Sequence, residues 1–217
     1  RSLWVSLLTG FATSIIAVTL STPDLFFGVG KGDYYFDYFL PTYYFFPLII
    51  LSALLCYHYN KEKLIAILSN TRPLKSSAFV VTIILGSLAA TTFGYKFDYL
   101  NVFLAAMVPF FGWQLSIVIN DVYDYKIDRI TNKNRPLVKK ALTKEEYMFV
   151  GYIFAFLALS FAAVLNEYIF LITIFGILLG IVYSMPPIRL RSHLAGNLVI
   201  GISMVIPFAI GLLLSKD

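Results

Sequence analysis

Charge is what this chain has least of. Asp, Glu, Lys and Arg make up 13% of its 217 residues, against about 25% in an ordinary soluble domain. With 59% hydrophobic residues and a mean hydropathy of +0.79, a water-soluble globule is excluded in favour of a polytopic membrane protein. Cysteine is nearly absent. The single Cys56 lies in an apolar run, so no internal disulfide can form and no function is read from it. Leu3–Leu20 is too long for the hydrophobic core of a typical signal peptide and has no convincing cleavage site, so it is read as a membrane helix. The net charge of +5 would suggest an anionic partner in a soluble protein. Here it follows from cationic loops on the cytoplasmic side, and nucleic acid is not an expected partner.

What is present is a series of long apolar runs. A spanning helix needs roughly 20 mostly apolar residues, and seven candidates are read: 3–20, 39–57, 77–93, 100–120, 147–165, 168–184 and 194–214. The fold class expected is therefore an all-α, polytopic transmembrane helix bundle. The second span carries Pro41 and Pro47 and could also be tilted or interfacial, and "NKEKLIAIL" after it reads as a short amphipathic connector at the membrane surface. Thr143-Lys144-Glu145-Glu146 has the form of a capping box, and Pro73 suits a helix start. If Arg1 is cytoplasmic and every span crosses, fourteen of the seventeen Lys and Arg fall on one face, leaving only Lys31, Lys96 and Lys216 opposite. That asymmetry predicts a cytoplasmic N-terminus, with the loops after the fourth and sixth spans on the cytoplasmic face too. Because the chain begins at Arg1 rather than Met, it is expected to be trimmed.

Against this background "INDVYDYKID", Ile119 to Asp128, stands out. On a continuous helix Asn120, Asp124 and Asp128 are spaced by four, and Asp121 precedes Asp124 by three, so all four share one stripe. Stacked carboxylates repel and call for a cation. Hard divalent cations take oxygen ligands, and Mg²⁺ is commonly held by one or two carboxylates plus substrate phosphates. Asn120, Asp121, Asp124 and Asp128 are the expected metal ligands, and Asp121, Asp124 and Asp128 the expected catalytic acids. Lys126, Arg129, Lys133 and Arg135 follow directly and would hold diphosphate oxygens. Lys139, Lys140 and Lys144 read instead as ordinary cytoplasmic loop charges. A second element is "YSMPPIRLR", Tyr183 to Arg191. Its Pro186-Pro187 pair stops the sixth span, and Tyr183, Arg189 and Arg191 emerge on the same face as the aspartates as further diphosphate ligands.

These elements resemble the UbiA superfamily of intramembrane prenyltransferases. "NDVYDYKID" fits the first aspartate-rich motif of that family, N-D-x-x-D-x-x-x-D; "NKNRPL" fits the R-P that follows it; and "YSMPPIRLRSHLAGN" is similar to a segment of its chlorophyll synthase and homogentisate branches. The resemblance covers about Thr71 to Leu214. It implies that 71–217 are the first five helices of a nine-helix domain and that 1–70 are an N-terminal extension with one or two membrane helices. The family also has a second aspartate-rich motif, between its sixth and seventh helices, so either a C-terminal part beyond Asp217 is missing or the protein is a half. "DYYFD", Asp33 to Asp37, has a similar spacing but reads as an outer loop.

The resemblance further implies Mg²⁺-dependent transfer of an isoprenyl group from an isoprenyl diphosphate to a lipophilic or aromatic acceptor, in contact with membrane lipids. Tyr123 and Tyr125 could face the developing allylic cation, although helix-wall packing is the plainer role for both. Other readings stay open at this stage: phosphoribosyl or other group transfer on the same scaffold, a non-catalytic membrane scaffold, or a transporter. The last predicts acids at mid-span, and the seven spans have none there.

Overall fold

A computed structural model describes residues 40–192 and 195–214. The expected span at 3–20, the "DYYFD" segment and Lys31 lie outside the described residues. Two compact units divide at Asn60 and Lys61. Every regular element among the described residues is helical. The order is α1 (Leu40–Ser69), α2 (Pro73–Thr91), α3 (Tyr99–Tyr123), α4 (Tyr125–Thr131), α5 (Lys144–Leu165), α6 (Glu167–Ser184), a 3₁₀ turn (Leu190–Ser192) and α7 (Ala195–Leu213).

The helix ends follow from local chemistry. α1 is broken at Asn60, whose φ of −156° and ψ of 83° are not helical, so "KEKLIAILS" forms a separate helical arm, Lys61 to Ser69. Pro73 opens α2 in its first turn, after Arg72 in a left-handed conformation with φ 47°. Asp98 caps α3 by accepting from the Leu100 and Asn101 amides at 2.8 and 3.2 Å. The expected capping box is present: Thr143 Oγ1 accepts from the Glu146 amide, and Glu146 accepts from the Thr143 amide. Asn166 caps α6 and donates its side-chain amide to the Leu213 carbonyl at 3.1 Å, joining the start of α6 to the end of α7. α6 ends at Ser184, before the cis Pro186-Pro187 bond.

Among the described residues, four helices, α3, α5, α6 and α7, are long and apolar enough to cross a membrane. The run expected to span at 77–93 lies in α2, Pro73–Thr91, which ends two residues earlier than expected, in the turn before Gly94 (φ 89°). The other expected spans from residue 100 onward coincide with their helices to within about three residues. α3 is the central element: most of it is buried, whereas α5, α6 and α7 leave most of their surface uncovered. α3 packs most extensively on α5, with Phe111 stacked between Phe154 and Phe161. α2 pairs closely with α7, where Gly86 and Gly211 let the backbones touch. A Cβ on Gly86 would lie 2.3 Å from the Phe208 carbonyl oxygen, and one on Gly211 would lie 2.3 Å from that of Ile83. Small residues at a crossing are a recurrent means of packing membrane helices. The outer faces carry exposed Val81, Leu85, Phe156, Leu171 and Leu198, a surface matched to lipid tails. The fold is an integral, multi-pass helix bundle.

Candidate functional site

The carboxylate stripe lies where α3 gives way to α4. The backbone hydrogen bonds run on in helical register, Asp124 to Asn120 at 2.8 Å and Asp128 to Asp124 at 2.9 Å. Asp124 itself departs from the helix, with ψ near 2°. Asp121, Asp124 and Asp128 are all buried, as side chains 0%, 10% and 8% exposed. Burying three acids together requires partners, since an uncompensated buried charge is strongly destabilising.

The partners fall into two groups, and this corrects the single stripe. Asp124 faces the segment after α6. Arg189 Nη2 donates to Asp124 Oδ1 at 2.9 Å, and Arg191 grips both Asp124 oxygens through its two terminal nitrogens while also donating to Asn120 Oδ1. Gly196 allows this: a Cβ there would lie 2.9 Å from both Arg191 Cα and the Leu190 carbonyl oxygen, so only glycine lets α7 begin against the 3₁₀ turn. Asp121 faces the other way. Its Oδ2 accepts from Asn70 Nδ2 at 2.8 Å and from Tyr147 Oη at 3.1 Å. Its Oδ1 has no hydrogen bond, with Arg135 at 3.4 Å and Arg72 at 3.7 Å as the ion-pair contacts. Arg135 also reaches Asp128 Oδ2 at 3.9 Å and donates to Asn70 Oδ1 at 2.9 Å.

Of the expected diphosphate ligands, the structure brings Arg135, Arg189 and Arg191 to the acids and sets Tyr183 on the cavity described below. Lys126, Arg129 and Lys133 are exposed, and Arg129 lies over the Tyr125 ring at 5.9 Å. The expected tetrad of metal ligands is not gathered at one point either: among the described residues no three Asp, Glu, His or Cys side chains converge to hold an ion. The cause is the division of the stripe, which points Asp124 and Asp121 at different partners. Their oxygen-only chemistry still fits a hard divalent cation, and the unbonded, fully buried Oδ1 of Asp121 is where that fit is most evident.

Sequence reasoning missed Asn70, Arg72, Gln114 and Tyr147. Gln114, buried in mid-α3, donates to the Thr71 carbonyl at 2.9 Å and so fixes the turn that carries Arg72. The position of Tyr147 just after the capping box was a usable signal; Asn70 offered none.

A cavity of about 330 Å³ opens beside the acids. Arg72, Asn120, Tyr183 and Ser184 are among its polar lining, and its other walls, from α2, α3, α6 and α7, are mainly apolar, including Phe79 and Trp113, with Ser116, Thr173 and Ser203 among them. Tyr123 and Tyr125 are not among its walls. Tyr125 packs against the apolar cluster around Val122 and Tyr147, as wall packing requires.

The UbiA prenyltransferase family model matches residues 78–216, and the chain belongs to that family. Its relatives include the digeranylgeranylglyceryl phosphate synthase of Methanosphaera stadtmanae, 24% identical over 146 residues, which cover 67% of this chain and 51% of that protein. The enzyme of the same name from Pyrococcus horikoshii is 31% identical over 84 residues, covering 39% of this chain and 30% of its own length. A solved structure of a UbiA homologue from Archaeoglobus fulgidus bound to geranyl diphosphate and Mg²⁺ superposes with a TM-score of 0.61 at 26% identity, covering 70% of this chain and 54% of that one. The chain spans about half the length of the curated relatives it matches most extensively.

Proposed function

We propose that the protein containing this chain transfers an isoprenyl group from an isoprenyl diphosphate to a lipophilic acceptor within the membrane, on its cytoplasmic side. The observation that carries the reading is a set of unsatisfied polar atoms at one site. Asp121 Oδ1, Arg72 Nη2 and Arg189 Nε, all around the Asp-rich turn, are buried without hydrogen-bond partners, and Arg72 and Asn120 also line the mainly apolar cavity. Buried polar groups are nearly always paired. An orphaned acceptor on Asp121 with orphaned donors on the arginines of both acids suits a ligand that brings both a cation and an anion, and a metal diphosphate is such a ligand.

Asn120, Asp121 and Asp124 would hold Mg²⁺ once the diphosphate draws Arg189 and Arg191 off Asp124, with Asp128 a ligand or a supporting partner through Arg135. Bound there, Mg²⁺ would supply charge neutralisation for the departing diphosphate. Arg72, Arg135, Arg189 and Arg191 would bind the phosphate oxygens, with Tyr183 beside them and Lys126, Arg129 and Lys133 as an outer cationic rim. Arginine suits this role because its fork of donors matches phosphate oxygens in pairs. The isoprenyl tail would lie along the α2, α3, α6 and α7 walls. As the C–O bond to diphosphate breaks, the acceptor attacks the allylic carbon and loses its proton. Phe79, Trp113 and Tyr183 are the aromatic walls able to face the positive charge, and the enclosure keeps water from intercepting it. The named relatives favour a lipid glyceryl phosphate as acceptor over an aromatic ring.

The test is Mg²⁺-dependent release of diphosphate from labelled geranylgeranyl diphosphate by the full-length protein in membranes, across glyceryl phosphate lipids and aromatic acids. Release with one acceptor class supports the reading, and no release with any acceptor overturns it.

A further inference from the structure

Asn70 stands before residue 78, where the family match begins, and outside every motif in the chain. It follows the helical arm Lys61 to Ser69, yet its side chain makes three hydrogen bonds within the site. Nδ2 donates to Asp121 Oδ2 at 2.8 Å and to Tyr147 Oη at 2.6 Å, and Oδ1 accepts from Arg135 Nη1 at 2.9 Å. Only one orientation of the amide works, since reversing it would set oxygen against carboxylate and NH₂ against guanidinium. Tyr147, donating its own proton to the same Asp121 oxygen, completes a closed ring of neutral donors.

This ring makes Asp121 asymmetric. Oδ2 accepts two hydrogen bonds from uncharged groups, while Oδ1 accepts none and faces Arg135 at 3.4 Å and Arg72 at 3.7 Å. The arm that supplies Asn70 is fastened to the same part of the fold. Ile67 packs on the cluster of Val118, Val122, Leu137, Leu142 and Tyr147, and Lys63 pairs with Glu146 of the capping box. The Asn70 amide hydrogen-bonds the Ile67 carbonyl, and the Gln114 contact to Thr71 holds the next residue.

We infer that Asn70 and Tyr147 are positioning residues. They fix Asp121 through one oxygen so that the other stays turned toward the divalent cation of a metal diphosphate. This rests on the transferase reading for its substrate but not for its test. A carboxylate free to rotate would pair both oxygens with Arg72 and Arg135 and lose its vacancy for a cation. Partners behind a metal ligand commonly alter metal affinity 10–100-fold when removed.

The experiment uses the full-length protein in detergent with Tyr147→Phe, which removes one oxygen, and Asn70→Ala. Mn²⁺ alone is titrated by electron paramagnetic resonance, and the Mg²⁺ half-activation concentration and donor KM are measured in parallel. The expected result is Mn²⁺ affinity weakened about 10-fold in each variant. Mg²⁺ half-activation should rise in step, kcat should recover at saturating Mg²⁺, and the thermal unfolding midpoint of Tyr147→Phe should stay unchanged. Wild-type Mn²⁺ affinity in both variants overturns the inference while leaving the transferase intact. Conversely, a wild type that binds Mn²⁺ but releases no diphosphate sinks the transferase reading, and the shift in Mn²⁺ affinity still decides this one. Absence of Mn²⁺ binding by the wild type overturns it outright.

Discussion

Asp121 and Asp124 are three residues apart on nearly the same turn, yet their surroundings are opposite. Asp124 is saturated: two arginines from beyond α6 take both its oxygens. Asp121 is more deeply buried but less paired, with two neutral donors on one oxygen, none on the other, and arginines at 3.4 and 3.7 Å. The difference teaches that the two carboxylates are prepared for different contacts. Arginines already docked on Asp124 are charges stored beside the place where a diphosphate would sit, available to exchange one anion for another. Oδ1 of Asp121, with two arginines just short of a good hydrogen bond, is the acid oxygen left to take a further partner.

Removing either acid in the full-length protein should give the largest effect. Asp124→Ala and Asp121→Ala are each expected to lower kcat/KM for isoprenyl transfer by at least about 100-fold, the scale on which preorganised charge stabilisation is lost, with membrane insertion unchanged on fractionation. An active Asp121→Ala variant would break the comparison at its root. Next, Arg191→Lys should raise the donor KM about tenfold, because a single ammonium cannot reproduce the fork, and should leave Mg²⁺ half-activation near wild type. That is the reverse of the pattern expected for Tyr147→Phe, and a double titration of donor and Mg²⁺ separates them. Smaller still, Gly196→Ala should push the turn under Arg191 outward and raise donor KM a few-fold without moving Mg²⁺ dependence; equal shifts in both would mean that the two sides are not independent. The mildest is Thr143→Ala, which removes the capping box that holds Glu146 for Lys63. It should cost about 1 kcal/mol, seen as a lower unfolding midpoint in detergent, with only a slight loosening of the Asp121 side.

Much of the scaffold was legible in the chain because its signals are local. The apolar runs from residue 100 onward, the capping box at Thr143, the proline stop after Ser184 and the placing of Pro73 each depend on neighbours within a turn or two. The Asp-rich turn and the arginines after Pro187 were legible for the same reason, and they came together as expected. The single stripe failed because periodicity describes an ideal helix. It carries no account of Asp124 leaving the helix, nor of which partner each acid meets. Lys126, Arg129 and Lys133 were grouped with the acids by nearness in sequence, whereas the cations that reach them come from Arg72, Arg135, Arg189 and Arg191.

By itself the sequence determined that this is a helical membrane protein, where its helices start and stop, and which short motif holds its carboxylates. The tertiary structure alone decided that Asn70 and Tyr147 would hold Asp121, from 51 and 26 residues away, and that Arg191 would hold Asp124 from 67 residues away. The physical reason is range. Helix propensity, capping and amphipathic period act over a few residues of chain, whereas a hydrogen bond acts over about 3 Å of space, and only the packed bundle brings those residues within that distance.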